Sequence, residues 1–304
     1  MRVSRVVTAT WLLITLACVF AIAGCAERAD ELFPELDRAD RISVSHGATA
    51  LRLTRDEAGW WVDLPGGRGR ADDELVAHLL AVLGRSSRSE LVPGGAERLE
   101  MLGLDEGSSG LVTVFAHAQT IARTRTGSQA PGASRVFIMP VGDSEVFVSP
   151  DGLADLLSLP LREWRDRSVL EFALPDVVGI ELWNRDRRMT LVPLDGRWHM
   201  TEPIEQDVHK GFVDALLFAL AELEAVDFAD DRPIEACGFG VDEASARGRV
   251  AISLKDDRVL RLSFGSEHEK GWCAMRPDRS DVYVVPRETV EIIFGKDSPE
   301  SPAR

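Results

Sequence analysis

The sequence predicts an α+β protein made of two tandem copies of one module, each a mainly antiparallel sheet with one long and one short helix. Three observations carry this prediction. Short apolar runs alternate at period two between turn residues, and two longer stretches place apolar residues every three to four positions. The order strands, helix, strands, short helix lacks βαβ alternation and recurs at an offset of about 137 residues.

In the first copy, Ile42 to Ser45 and Leu51 to Thr54 alternate as strands, and the turn at Asp56 to Gly59 leads into the strand Trp60-Trp61-Val62-Asp63. Pro65-Gly66-Gly67 breaks the meander. Ala71-Asp72-Asp73 then opens a helix, with its carboxylates at the end where the dipole favours them. Leu75, Leu79 and Leu83, with Val76 and Leu80 beside them, give that helix one apolar face, which belongs on the sheet. Four strands follow near 111–116, 119–125, 134–140 and 145–149, and a short helix begins at Pro150. The second copy repeats the order, with its main helix from about Glu205 to Leu223.

Sliding the chain against itself sets Ile42, Val44, Leu51 and Leu53 on Ile180, Leu182, Met189 and Leu191. A one-residue difference at the hairpin then sets Trp61 on Trp198, and Leu75, Val76, Leu79, Leu80 and Leu83 on Phe212, Val213, Leu216, Leu217 and Leu220. Gly103-Leu104-Asp105 falls on Gly240-Val241-Asp242, and Val146 to Pro150 on Val282 to Pro286. The expected layout is a leader over 1–24, a solvated tether over 25–40, a first module over 41–160, an inter-module segment over 161–177, a second module over 178–295 and a tail over 296–304.

Composition excludes several classes. With 35 Lys+Arg against 50 Asp+Glu the net charge is −15, which argues against a nucleic-acid partner, since such a partner needs a basic face. A hydrophobic content of 45% argues against disorder, and four cysteines argue against a disulfide-built scaffold.

Arg2 and Arg5 precede an apolar run from Val6 to Gly24 that ends at Cys25. This is the pattern of an export signal, with a length that also suits an uncleaved membrane anchor. Ile22-Ala23-Gly24-Cys25 resembles the bacterial lipoprotein box. The resemblance implies cleavage before Cys25, lipidation of Cys25 and membrane attachment through that lipid. Several acyl chains on one residue suffice for stable anchoring, at about 0.8 kcal/mol per buried methylene. Ala26 after the cysteine favours the outer membrane by analogy with lipoprotein sorting. Either reading leaves the globular part outside the cytoplasm, facing the periplasm.

The Trp hairpin Asp195-Gly196-Arg197-Trp198, the helix after it, the Gly103-Leu104-Asp105 turn and the segment Pro160-Leu161-Arg162-Glu163-Trp164-Arg165-Asp166-Arg167-Ser168-Val169-Leu170-Glu171-Phe172 together resemble the bacterial domain family DUF4340. The resemblance covers most of residues 42–294, and the segment before the second module is its most specific part. It implies an envelope protein without established catalytic activity, linked through gene neighbourhood to ABC-type transport and gliding-motility components. A lipoprotein box in place of a clear transmembrane anchor departs from that picture.

No chemistry-bearing motif stands out. The six histidines form no zinc-protease pattern, and Glu267-His268-Glu269 reads as a solvated turn rather than a ligand set. Gly66-Gly67-Arg68-Gly69 lacks the ending of a phosphate loop and is followed by Asp72 and Asp73, so it reads as a turn. Asp72-Asp73, Asp230-Asp231 and Asp256-Asp257 lack the spacing of a calcium loop, and Gly142-Asp143-Ser144 is no nucleophile elbow. Neither a metal nor a cofactor is expected. Trp60, Trp61, Trp183, Trp198 and Trp272 fall in expected strands and could stack on a sugar or peptide; Trp61 and Trp198, as repeat equivalents, read as core, and Trp60 and Trp272 are the better candidates for an exposed binding edge. Cys237 and Cys273 are either a disulfide of an oxidising compartment, worth about 3–4 kcal/mol, or two buried thiols.

These readings lead to a lipid-anchored, non-enzymatic envelope protein that binds or scaffolds a protein partner, in the setting of a transport or motility complex. An envelope hydrolase with a site between the modules and a solute-binding lipoprotein are the alternatives.

Overall fold

A computed structural model describes residues 30–64, 67–131, 134–184, 187–229, 237 and 246–295. Cys25, the leader, the Gly240-Val241-Asp242 turn, Asp230-Asp231 and the tail lie outside them. The described chain is mainly sheet with some helices, in two antiparallel sheets of eight and nine strands. It divides into two compact units, one running to Asp63 and over Ala71–Trp164, the other comprising Leu64–Arg70 and the chain from Arg165. No described helix is long and apolar enough to cross a membrane.

The first sheet contains β1 (Arg41–His46), β2 (Thr49–Asp56), β3 (Gly59–Leu64), β4 (Gly67–Arg70), β5 (Gly110–Ala116), β6 (Gln119–Gln129), β7 (Val136–Pro140) and β8 (Phe147–Val148), in the order β4-β3-β2-β1-β5-β6-β7-β8. The helix α1 (Asp73–Gly84) follows β4, and α2 (Leu153–Ser158) follows β8. The expected strands and helices are thus present, with β4 as an addition: the stretch after Pro65 and Gly66 is extended rather than a turn. Asp72 caps α1, its carboxylate accepting from the Leu75 amide at 2.9 Å, a contact worth about 1 kcal/mol. Val76, Leu79, Val82 and Leu83 form the buried face of that helix, each large side chain contributing about 1.5–3 kcal/mol by leaving water.

The second sheet contains β9 (Val177–Asn184), β10 (Arg187–Leu194), β11 (Arg197–Glu202), β12 (Gln206–Asp207), β13 (Asp227–Phe228), β14 (Gly248–Leu254), β15 (Val259–His268), β16 (Gly271–Met275) and β17 (Val282–Val285). Their order is β12-β11-β10-β9-β14-β15-β16-β17-β13. The main helix α3 (Lys210–Ala221) begins five residues after the expected Glu205, because Gln206 and Asp207 pair with β11 and His209 supplies the cap, its Nδ1 accepting from the Gly211 amide at 3.1 Å. The last helix is α4 (Arg287–Phe294). Asp195 and Gly196 both take positive φ, the two-residue hairpin that such a pair favours between β10 and β11.

Strand register corrects the repeat alignment at one point. Leu53 faces Val62 across β2 and β3, and Leu191 faces Met200 across β10 and β11, so Trp60, not Trp61, is the counterpart of Trp198. In a strand a one-residue slip moves a side chain to the other face. The single-residue difference therefore lies between the third strand and the helix, not in the hairpin.

The repeat also reaches further upstream than the sequence indicates. Glu31 bridges Ser87 and Ser168 bridges Glu224; the Leu32 amide donates to the Ser86 carbonyl as Val169 donates to Leu223. Phe33, Leu36 and Ala39 are buried, so from Asp30 onward the expected tether is part of the first unit. The inter-module segment is likewise no spacer, since Val169 and Leu170 belong to the second core.

That segment ends in a buried polar lock within the second unit. Arg165 donates to Asp281 at 2.5 Å, both side chains almost fully buried, and its guanidinium carbon lies 3.5 Å from the centroid of the Phe228 ring. Gly69 packs here as well: a Cβ on it would stand 2.6 Å from Asp281 Oδ1, so only glycine fits unless the pair shifts. Arg276 grips Asp278 through two nitrogens at 2.9 and 2.6 Å and donates to the Val169 carbonyl at 3.1 Å. Arg279 reaches Glu171 at 3.0 Å, Tyr283 Oη at 3.2 Å and Asp166 at 3.5 Å. Burial opposes the charge on Arg279, but Tyr283, Asp166 and Glu171 outweigh it and raise its pKa above the ordinary value.

Candidate functional site

The inner face of each sheet is closed by its helices, so recognition chemistry falls to the outer face. Along β14, Val250, Ile252 and Leu254 are buried while Arg249, Ala251 and Ser253 between them are partly exposed. Trp183 and Glu181 take the outer positions of β9, between buried Ile180 and Leu182. Register then assembles two neighbouring rungs. One carries Arg188, Trp183, Arg249 and Ser263 on β10, β9, β14 and β15; the next carries Thr190, Glu181, Ala251 and Arg261.

Large side chains surround the small Ala251, and a groove of about 280 Å³ results. The Arg249 guanidinium carbon lies 4.7 Å from the Trp183 ring centroid, a cation–π contact between the two side chains. Arg188 is held at one wall by Glu181 at 2.9 Å and Glu202 at 3.1 Å. The hydrogen bond that Arg188 donates to Glu181, and after it the charge of Glu202, raise the pKa of Arg188, which remains cationic. Arg261 is exposed and has no carboxylate partner among the described residues. A cationic, aromatic groove thus stands on a chain whose net charge is −15.

β14 is hydrogen-bonded to β9 on one side and β15 on the other, so its backbone is already used and only side chains face the groove. The arrangement suits a ligand that brings a negative group for the arginines, hydroxyls for Glu181 and Ser263, and a surface for the indole.

The expected binding edge is not where the structure offers one. Trp60 is 5% and Trp272 1% exposed, both in the core. In β3, Trp60 shares the inward side with Val62; in β16, Trp272 faces Val285 of β17, itself buried. Trp183, which the sequence ranks below Trp60 and Trp272, is the partly exposed ring. The available signal was its place two residues after Glu181, out of phase with Ile180 and Leu182.

Cys237 and Cys273 are brought together, fully buried in one small cluster with Ala229, Val282 and Val284. Both are buried cysteines in this structure. The matching cluster of the first module contains Leu102, Leu104, Met139 and Val146, with Leu99 and Phe137 against it. The cysteines therefore occupy packing positions on the outer sheet face, where Cys behaves as a small apolar residue.

Glu267-His268-Glu269 is not a solvated turn: Glu267 and His268 end β15, and His268 is 7% exposed, its Nδ1 accepting from the Lys270 amide at 3.2 Å. No cluster of metal-binding side chains is present among the described residues. Asp72 is the helix cap, Asp143 accepts from the Ser144 and Glu145 amides in a turn, and Asp256 accepts from Arg258.

Searches of curated proteins and of solved structures return no match. A family model described as a domain of unknown function, DUF4340, matches residues 60–238 and again 198–294. Both matches begin at the tryptophans that strand register makes equivalent, Trp60 and Trp198. The chain belongs to the DUF4340 family.

Proposed function

We propose that this protein is a lipid-anchored component of the bacterial cell envelope, attached through Cys25, whose second module binds a ligand or partner through the outer face of its sheet. It serves as a binding and scaffolding element of an envelope complex of the ABC-transport or motility type, and its body faces the periplasm.

The observation that supports binding is the groove itself. Trp183, Arg249 and Arg261 project from interior strands of a rigid sheet, a placement that preorganises them at little entropic cost. The lipoprotein-box resemblance at Ile22 to Cys25 supports the anchor, and several acyl chains give stable attachment.

The test is metabolic labelling with a fatty-acid analogue, comparing the full chain with Cys25→Ala, followed by crosslinking and recovery of the labelled protein. Label that is lost in Cys25→Ala, with an envelope protein captured by the wild type and released by Arg261→Glu, supports the reading. An unlabelled wild type that retains residues 1–24 overturns the anchor. Capture unaffected by Arg261→Glu overturns the groove as the surface that holds the captured protein.

A further inference from the structure

We infer that the groove on the second sheet binds an acidic saccharide, with a sugar ring against Trp183 and its carboxylate between Arg249 and Arg261 above Ala251. The inference rests on the groove being the binding site and adds the class of ligand.

The two arginines are diagonal neighbours across β14 and β15, since Arg249 faces Ser263 while Arg261 faces Ala251. Diagonal positions across a sheet stand roughly 7–8 Å apart, a span that two long guanidinium side chains close on one carboxylate. Arg188 is already neutralised by Glu181 and Glu202, so the uncompensated positive charge sits at Arg261, beside the alanine floor.

Three features separate a saccharide from other anions. Glu181 lines the same groove and repels a doubly charged phosphate more strongly than a single carboxylate, and it accepts hydrogen bonds from sugar hydroxyls. β14 is paired on both sides, so a peptide has no free strand edge to extend. Apart from the indole, the outer positions of these rungs offer only alanine as an apolar surface, no pocket for a peptide anchor, whereas a flat ring needs only the indole.

The first module supplies an internal control. Its corresponding rungs carry Ala50, Ser45, Leu111 and Arg125, then Arg52, Ser43, Thr113 and Arg123. Aromatic ring and carboxylate are both missing from that set, so the first sheet is not expected to bind the same ligand.

The experiment is calorimetric titration of the full chain in detergent with tetragalacturonic acid, its methyl ester, tetraglutamate and inorganic phosphate. Saturable binding of the acidic tetramer is expected, about tenfold weaker for the methyl ester, which has lost the charge-assisted contact. Arg261→Gln, on an exposed side chain, is expected to weaken binding about tenfold with an unchanged melting temperature. Trp183→Ser with Arg249→Leu, which writes in the residues of the first module, is expected to abolish it. Equal binding of the methyl ester, tighter binding of tetraglutamate or phosphate, or no binding of the acidic tetramer each overturns the inference. A chain that fails these titrations but is still labelled at Cys25 and captures its partner through Arg261 leaves the proposed function standing.

Discussion

Rungs that carry Trp183, Arg249 and Ser263 in the second module carry Ser45, Leu111 and Arg125 in the first, while the inner faces of the two sheets bury nearly the same set. Ile42, Val44, Leu53, Val112 and Val114 match Ile180, Leu182, Leu191, Val250 and Ile252 one for one. The difference shows which demands the fold makes and which it leaves open. An inner position must fill volume against a helix, and a cavity or a polar group there costs several kcal/mol. An outer position in mid-sheet has only to tolerate water, so the second copy was free to acquire charged and aromatic groups.

A second contrast lies at the loop before the last strand of each sheet. Asp281 in the second module is buried against Arg165, whereas its counterpart Glu145 in the first is exposed. Asp281→Ala is expected to destabilise the second unit by about 3–5 kcal/mol, because the buried Arg165 guanidinium loses the Asp281 carboxylate; Glu145→Ala is expected to cost less than about 0.5 kcal/mol. Urea unfolding of both variants checks this, and equal midpoints would break the contrast.

Gly69 sharpens it further. Gly69→Ala is expected to cost about 1–3 kcal/mol, since the new methyl meets Asp281 Oδ1. At the matching position the second module has the exposed Gln206, where alanine is expected to change stability by less than about 0.5 kcal/mol. Thermal unfolding of the pair separates a steric requirement from mere strand propensity.

The two small clusters on the outer faces make a third comparison. As packed thiols, Cys237→Ala and Cys273→Ala are each expected to cost about 1 kcal/mol, the scale of one lost buried group. A disulfide would instead make each single variant cost about 3–4 kcal/mol and the double variant no more. Denaturant melts with and without reductant distinguish the two.

The smallest effect is expected at His46, which contacts Thr126 Oγ1 at 2.9 Å and has Asn184 as its counterpart. Burial lowers its pKa from 6.5, so its neutral form is the folded one. The corresponding stability is fully present above pH 6.5 and is lost as pH falls through the lower folded value. A small drop in melting temperature on acidification, removed by His46→Asn, is the expected result.

Much of the fold was legible because its signals are local. The apolar face of α1 appears as Leu75, Val76, Leu79 and Leu83, and the turn at Asp195-Gly196 names its own geometry. The tether was misjudged because Phe33, Leu36 and Ala39 are spaced among charged residues, and their burial depends on distant contacts such as Leu32 with Ser86. The candidate site was less legible. Trp60 and Trp183 both stand in strands beside apolar neighbours, and only strand phase against the core decides that one is buried and the other lines a groove.

By itself the sequence determined the tandem repeat, the helix faces, the mainly antiparallel class and the family, because periodicity, turn chemistry and repeated motifs act over a few residues at a time. The tertiary structure alone decided the pairing of Arg165 with Asp281, 116 residues apart, and the union of Trp183, Arg249 and Arg261 on one face. Both depend on register and burial, and those are settled only when distant strands meet and every buried charge must find a partner.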